Sequence, residues 1–367
     1  MKILFDGCAF ERTYQRGIQR YYYEILSRLP RELESAMFFR KTPVADVPGG
    51  ISLTFKSEDY SIESRDITGR AIAKVRKLWF PTQIPMGDVF HSTYFTRCPH
   101  KDVPEVVTVH DMVPEVMPYC FEADINQEVG RKRDSILAAE KIISISQSTA
   151  SDLVAIYPEV ADRIEIIHSG AEHFSCVCED DILSRSYSDA PYVIFLGDRR
   201  GYKNFGTLLD ALTTIDWPKN LRLVVIGSRF SEGELLAIRY RGVEHLIHLV
   251  VHPTDSEMRE LLIKANAFVF PSLIEGFGFP MVEAQALGVP VVASDTKVFR
   301  EVGGNAFHPV DPMDPSSIAT GVSKVLDCEV RLRLSLLGLQ NVKRFSWDTC
   351  AARTLDVWRD VSTRRSS

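Results

Sequence analysis

The chain has 367 residues, of which 45% are hydrophobic and 25% charged, a composition typical of a globular protein with two domains. Its formal net charge of −6 argues against a general nucleic-acid binder, which carries a basic excess. The seven cysteines are an odd number scattered over a long chain, so we expect a reducing compartment and no disulfide framework. A charge at Asp6 comes too early for a secretory apolar core, and no apolar run is long enough to span a bilayer. These features predict a cytoplasmic protein.

The first half of the chain alternates short apolar runs with longer amphipathic stretches. The predicted strands are residues 2–5, 89–91, 106–109, 142–145 and 164–167, and the predicted helices are residues 18–29, 126–139 and 148–156. Strands that alternate with helices of this length indicate a parallel sheet with helices on both faces.

The same alternation restarts in the second half. The predicted strands are residues 192–196, 221–226, 246–251, 267–270 and 290–293, and the predicted helices are residues 205–212, 234–240, 255–264 and 280–287. We therefore expect an α/β protein with two Rossmann-like domains, residues 1–175 and 191–345, joined by a polar linker, residues 176–190. Ligands of such sheets bind at the carboxyl ends of the strands, in the cleft between the domains. A last amphipathic helix is predicted over residues 345–361.

The end of the predicted strand at Phe270 leads into the most informative segment. A loop with Gly276 and Gly278 follows, Pro280 lies where a helix can begin, and Gly288 can end that helix. The loop and the helix N-terminus together present backbone N–H groups, which suit an anion.

Two acidic residues belong to this segment. Glu275 can accept hydrogen bonds from sugar hydroxyls, and Glu283, expected in the first turn of the helix, can bind a ribose diol as acidic residues do in dinucleotide-binding folds. The alternative is that Glu283 only compensates the helix dipole and that the glycines only shape a turn.

The string EGFGFPMVEAQALGVPVVASD, in which seven residues separate Glu275 from Glu283, resembles the signature of retaining glycosyltransferases of family 4. The resemblance continues through EVGG at Glu301 and VDPMDP at Val310, and it covers nearly the whole chain. It implies the GT-B fold, a contact of Glu275 with the donor sugar, and a contact of Glu283 with the nucleotide ribose. It also places Gly276, Phe277 and Gly278 in the donor site.

A basic loop, GDRRGYKNF, follows the first strand of the second half. Fixed cations there can stabilise the negative charge that develops on a departing diphosphate. The alternative is a solvated basic loop. The string resembles one found in many family members, which implies that Arg199 and Lys203 bind the donor diphosphate near Gly197. Arg200 has no matching role.

Residues of the first half supply the remaining candidates. His110 and Asp111 follow a predicted strand, and the string HDMVPE resembles a family string whose His lies in the cleft, so His110 is expected to hold the donor sugar. Gly17 opens a helix where the family usually has a glycine pair near the donor phosphates. His91 and Tyr94 resemble a string near the acceptor, with Asp111 on the same side. For each, an ordinary structural role is the alternative.

Neither a metal nor a cofactor is expected. His168, His173, Cys176 and Cys178 have spacings that match no zinc site, and the chain has no Asp-x-Asp. The expected partners are a nucleotide-diphospho-sugar, with UDP, GDP and dTDP all open, and a carbohydrate or lipid-linked acceptor. The basic stretch of residues 65–81 ends in aromatic residues, which fits peripheral contact with the inner face of a membrane and equally a solvated helix.

The activity implied by the resemblance is metal-independent transfer of a hexose or deoxyhexose to an acceptor hydroxyl with retention, in polysaccharide or glycolipid assembly. One alternative is a nucleotide-sugar 2-epimerase of the same fold. A second is a two-lobed binding protein without catalysis, which the intact loop chemistry on both lobes disfavours.

Overall fold

The computed structural model describes residues 1–11, 16–41, 43–55, 84–121, 125–171, 177–183, 185 and 190–364. Two sheets account for its strands. The first sheet has seven strands in the order β3-β2-β1-β4-β5-β6-β7, and the second has six in the order β10-β9-β8-β11-β12-β13. The neighbouring strands pair in parallel in both sheets.

The bounds of the strands follow chain order. In the first sheet they are β1 Lys2–Asp6, β2 Glu34–Phe39, β3 Ser52–Phe55, β4 Val89–Ser92, β5 Glu105–Val109, β6 Lys141–Ser144 and β7 Ile164–Ile166. In the second sheet they are β8 Tyr192–Leu196, β9 Arg222–Gly227, β10 Ile247–Val251, β11 Ala267–Phe270, β12 Val291–Ser294 and β13 His308–Val310. The central strands, such as β5 and β11, are buried along their whole length because helices cover both faces.

Thirteen α-helices lie in the described part of the chain. They are α1 Arg16–Leu26, α2 Val113–Val116, α3 Ile125–Ala138, α4 Gln147–Ile156, α5 Glu179–Leu183, α6 Phe205–Ala211, α7 Glu232–Arg241, α8 Asp255–Lys264, α9 Phe279–Ala286, α10 Lys297–Gly303, α11 Pro315–Val325, α12 Cys328–Val342 and α13 Trp347–Thr363.

Side chains next to the helices explain where several of them begin and end. Ser231 and Thr254 form capping boxes with Glu234 and Glu257 at the starts of α7 and α8. Gly242 ends α7 in the left-handed conformation, which an L residue adopts only at a cost.

The predicted fold class is confirmed, and the predicted strands and helices are present with ends shifted by a few residues. The predicted elements do not include strands β2, β3 and β13 or helices α2, α5, α10, α11 and α12. Strands β3 and β13 are edge strands of three or four residues, too short to show a clear pattern. Part of the expected linker forms α5, so that segment is not wholly irregular.

Helix α13 packs on α1 and on strands β4 and β6 of the first sheet. Its Trp347 and Trp358 are buried there at 1% and 0% exposure. The helix follows the second sheet in sequence, so the chain crosses back to the first domain. We call the seven-stranded sheet with its helices the first domain and the six-stranded sheet with its helices the second domain. The domain boundaries given from the sequence remain a prediction.

Candidate active site

The loop between β11 and α9 lies directly on the carboxyl end of β5. A Cβ built on Gly276 would stand 1.7 Å from the carbonyl oxygen of His110. The carbonyl oxygen of Gly276 accepts hydrogen bonds from Ser146 Oγ at 2.6 Å and from Thr149 Oγ1 at 3.1 Å. Since these partners belong to the first domain, the loop that carries Glu275 is fixed at the junction of the two domains.

Lys203 and Glu275 form an ion pair at the carboxyl edge of the second sheet. Lys203 Nζ lies 2.7 Å from Glu275 Oε1, and the two side chains are only 14% and 13% exposed. The Leu273 N–H donates to the carbonyl of Tyr202 at 2.8 Å, which ties the two loops together. Asn204 ends the turn in the left-handed conformation, with its amide bonded to the carbonyls of Pro271 and Pro312. Both members of this pair are candidates from the sequence, and the structure brings them into contact.

Arg199 is held mainly by the loop after β9. Its Nε donates to Glu234 Oε1 at 2.6 Å, and its Nη2 donates to the carbonyls of Ser228 and Arg229. The guanidinium also lies 4.9 Å from the ring centre of Phe230. Its buried Nη1 has no hydrogen-bond partner among the described residues. The side chain is 3% exposed, so a direct contact of Arg199 with a diphosphate requires it to release Glu234 or the loop after β9.

Two glycines of the donor loops have positive φ angles that favour glycine. Gly197 has φ 130° and lies within reach of Lys203, and Gly278 has φ 91° and precedes α9. Gly278 provides no side-chain cap for the helix. Phe277 differs from them, because its ring is 2% exposed and packs against Phe279 and Phe345. Its side chain thus belongs to the core, and the predicted contact of Phe277 with a donor could involve only its backbone.

Glu283 is not in the first turn of its helix, contrary to expectation. Helix α9 begins at Phe279 because Gly278 is its N-cap, so Pro280 is the second helical residue and Glu283 the fifth. The carboxylate is buried and pairs across the domains with Arg20 of α1, whose Nη1 lies 2.5 Å from Glu283 Oε1. Burial raises the pKa of Glu283 to about 7, and Arg20 opposes that shift.

Arg20 was missed by the sequence analysis. Its place one turn after Gly17, in the helix that follows β1, is the signal that could have found it. Gly17 itself lies at the start of α1, as predicted, and a Cβ there would meet open space. Packing therefore does not require glycine at this position.

His110 is 8% exposed and lies at the end of β5, as predicted. Its ring meets Tyr21 edge-on at 4.9 Å, and its buried Nε2 has no hydrogen-bond partner among the described residues. Burial lowers the pKa of His110 to about 4. The imidazole is therefore neutral near pH 7 and has an uncommitted ring nitrogen for a ligand.

A cavity of about 160 Å³ lies beside His110 and involves both domains. Its lining includes Tyr94, Phe95, His110, Asp111, Glu128, Lys132, Arg200 and Tyr202. Tyr94 donates to the Glu128 carboxylate, and Asp111 accepts from the Val113 N–H at 3.0 Å. Two of the three acceptor-side candidates, Tyr94 and Asp111, thus line one cavity.

Arg200 contacts the first domain, which the sequence did not predict. Its guanidinium lies 5.1 Å from the ring centre of Phe121, which stacks on Tyr202. This contact joins the second domain to the first at the cavity.

His91 is buried inside the first domain, which agrees with the structural role given as its alternative, and its place near the acceptor stays a prediction. The side chain is 0% exposed, its Nδ1 accepts from Trp358 Nε1 at 3.0 Å, and its Nε2 lies 3.0 Å from Thr108 Oγ1. Both ring nitrogens are committed inside the first domain, and burial lowers the pKa of His91 to about 3. The residue joins α13 to the first sheet.

Several other sequence predictions concern cysteines, metals and membranes. Six described cysteines are free, namely Cys8, Cys98, Cys120, Cys178, Cys328 and Cys350. No group of three or more potential metal ligands occurs among the described residues. His168 bonds to Glu301 at 2.8 Å, while His173, Cys176 and residues 65–81 lie outside the described part. Within the described part, no helix is long and apolar enough to cross a membrane.

Solved structures resemble this fold over nearly the whole chain. Anabaena HepE, in a crystal structure with UDP and glucose, matches with a TM-score of 0.69 and 17% identity, covering 98% of this chain and 100% of that one. Sucrose-phosphate synthase from Thermosynechococcus elongatus matches with a TM-score of 0.74 and 17% identity, covering 99% of this chain and 100% of that one. The fold is GT-B, in which two Rossmann-like domains face each other.

Curated relatives and a family model agree with the GT-B fold, because they are glycosyltransferases. Residues 180–336 match the family described as glycosyl transferases group 1. The O-antigen chain mannosyltransferase B of Escherichia coli is 26% identical over 98% of this chain and 100% of its own length. The D-inositol 3-phosphate glycosyltransferase of Xylanimonas cellulosilytica is 28% identical over 95% of this chain and 93% of its own length. Residues 180–336 thus resemble the group 1 glycosyltransferases, and the similarity of nearly the whole chain to glycosyltransferases supports an enzyme that transfers sugars.

Proposed function

We propose that the protein is a retaining glycosyltransferase of family 4 that moves a hexose or deoxyhexose from a nucleotide-diphospho-sugar to a hydroxyl of a carbohydrate or lipid-linked acceptor. The observation that carries the proposal is the docking of the Glu275–Gly276 loop on His110. It places the Lys203–Glu275 ion pair and the neutral His110 at one domain junction. The names of the relatives support polysaccharide or glycolipid assembly and a mannosyl donor as the first to try.

The proposed mechanism uses these side chains to stabilise charge rather than to form a covalent intermediate. The bond from the anomeric carbon to the diphosphate breaks as the acceptor oxygen bonds to the same carbon on the same face. The acceptor proton passes to an oxygen of the departing diphosphate. Lys203 stabilises the negative charge on that group, and Arg199 adds to it once it releases Glu234. Such electrostatic contacts are among the largest contributions to catalysis. Glu275 and His110 hold the sugar through its hydroxyls.

A donor panel tests the proposal directly. GDP-mannose, UDP-glucose, UDP-galactose and a dTDP-deoxyhexose are each incubated with the enzyme and a panel of lipid-linked and free saccharides, with and without EDTA. We expect one donor to yield a product with the donor's anomeric configuration, unaffected by EDTA. An inverted product would contradict retention, and loss of activity with EDTA would contradict metal independence. Conversion of a donor without any acceptor would favour the 2-epimerase.

Membrane contact through residues 65–81 is a separate part of the proposal. Sedimentation with vesicles of phosphatidylcholine alone, and with added phosphatidylglycerol, tests it. Binding that requires the anionic lipid is expected from a basic segment. No binding to either vesicle would remove membrane contact from the proposal and leave the sugar transfer standing.

A further inference from the structure

The ion pair of Arg20 with Glu283 joins the two domains at the predicted ribose site. Arg20 lies on α1 of the first domain and Glu283 on α9 of the second, and the two side chains are 21% and 7% exposed. A buried carboxylate without a cation tends to take up a proton, because burial penalises the charged form. The pair therefore affects the charge of the residue that the proposed function assigns to the ribose.

A ribose diol offers two hydroxyl donors, and an ionised carboxylate, which only accepts, binds both more strongly than the protonated acid does. Protonation of Glu283 would turn one of its acceptor positions into a donor. The described contact joins one guanidinium nitrogen to one carboxylate oxygen. A carboxylate has about four lone-pair positions on its two oxygens, so Glu283 can keep Arg20 and still accept from a diol.

We propose that Arg20 is a positioning residue of the donor site, which holds Glu283 ionised and oriented from across the cleft. This inference rests on the proposed function, since it takes Glu283 as the ribose-binding residue. An arginine suits the role because its guanidinium stays charged at every working pH.

The charged surroundings of Glu283 agree with that role. Among the described residues, Arg20 from α1 favours the ionised carboxylate, and Asp255, the first residue of α8, disfavours it. Burial raises the pKa of Glu283 to about 7 even with Arg20 present. Without Arg20 the pKa moves further up, and a larger fraction of the carboxyl is protonated at neutral pH.

Calorimetric titration with UDP, GDP and dTDP between about pH 6.5 and about pH 9.5 tests the inference. We compare the wild type with Arg20→Ala, Arg20→Lys and Glu283→Gln. Glu283→Gln has no carboxyl at position 283 to titrate. The pH dependence of its affinity is therefore the reference for protonation of the nucleotide phosphate, which occurs at about pH 6. Arg28→Ala is the matched control, because Arg28 follows the same helix but pairs with Glu24 and Asp348.

With Arg20→Ala we expect nucleotide affinity to fall about tenfold at neutral pH and to recover towards the wild-type value at alkaline pH. The midpoint of the pH dependence should move up relative to the wild type, with Arg20→Lys in between and Arg28→Ala unchanged. A purely structural contact would lower the melting temperature without moving that midpoint.

The outcomes separate this inference from the proposed function. If Glu283→Gln weakens nucleotide binding while Arg20→Ala binds nucleotide as tightly as the wild type or more tightly, the proposed positioning role of Arg20 is wrong. If Glu283→Gln binds nucleotide as tightly as the wild type at every pH, Glu283 is not the ribose ligand. If none of the three nucleotides binds the wild-type protein, the proposed donor class is wrong.

Discussion

Gly276 lies so close to the carbonyl oxygen of His110 that a Cβ at position 276 would stand 1.7 Å from it. The same Cβ would stand 2.9 Å from the Cβ of Asp111. Neither of these two atoms, the His110 carbonyl oxygen and the Asp111 Cβ, is at the end of a flexible side chain. A larger residue at position 276 can therefore be accommodated only if the loop moves away from the first domain. The contact thus makes the closed site dependent on a glycine.

Gly276→Ala should therefore reduce catalysis by separating the Glu275 loop from the strand that carries His110. We expect kcat/KM for the donor to fall about 100-fold, since small misplacements of catalytic groups have effects of that size. Gly206→Ala is the matched control, because a Cβ at that position in α6 meets open space. It should keep full activity. Transfer assays and thermal melting of both variants check the prediction, and a fully active Gly276→Ala enzyme would contradict it.

Lys203→Ala should remove the cation that stabilises the departing diphosphate. Loss of one such electrostatic contact typically lowers kcat by about 100-fold to 1,000-fold. The variant also leaves Glu275, which is 13% exposed, without its ion-pair partner. Lys264→Ala is the control, because that lysine is 58% exposed and forms an ion pair with Glu260, which is also exposed. Initial rates at saturating donor distinguish the two, and an unchanged kcat in Lys203→Ala would argue against the proposed mechanism.

The parts of the site that lie close together in sequence could be predicted from it. Glu275, Gly276 and Glu283 belong to one loop and helix, so a local pattern carries them. The pairs Arg20–Glu283 and Arg199–Glu234 could not be predicted, since each joins residues far apart in sequence whose approach depends on packing.

The fold shows the same division. The central strands are short apolar runs between helices and were found, whereas β2 and β3 were not. His91 was placed near the acceptor because its string resembles the family's. The partner that holds it in the core, Trp358, lies 267 residues further along the chain.

His110 should act as a neutral hydrogen-bonding group. Burial lowers its pKa to about 4, so it does not change charge between about pH 6 and about pH 8. We expect His110→Ala to lower kcat about 100-fold at every pH in that range, without altering the shape of the pH profile. His245→Ala, on the exposed surface, serves as the control. A loss in His110→Ala that appears only on one side of about pH 6.5 would show that its protonation matters, contrary to this prediction.

Trp358→Phe should lower stability and leave catalysis intact. The substitution removes the indole N–H that donates to His91 Nδ1 at 3.0 Å, in a region where both side chains are 0% exposed. An unsatisfied buried acceptor costs about 1–3 kcal/mol, and the smaller ring adds a cavity. Urea unfolding measures the loss, and kcat of the folded enzyme should stay within about twofold of the wild type. A fall in kcat without a loss of stability would contradict this prediction and would support a role of His91 near the acceptor.

The double variant His91→Leu/Trp358→Phe extends this test to pH. It should recover part of the stability, because no member of the Trp358–His91 bond is then left unsatisfied, and Thr108, which loses its contact with His91, keeps the Tyr21 hydroxyl at 3.4 Å. The folded-state pKa of His91 is about 3, below its ordinary value of about 6.5, so its contribution to stability is present above about pH 6.5 and is lost as the pH falls. From about pH 6.5 downwards, the wild type should lose up to about 1.4 kcal/mol per pH unit relative to the double variant. Parallel stability curves for the two proteins over that range would mean that His91 is not buried in the neutral form.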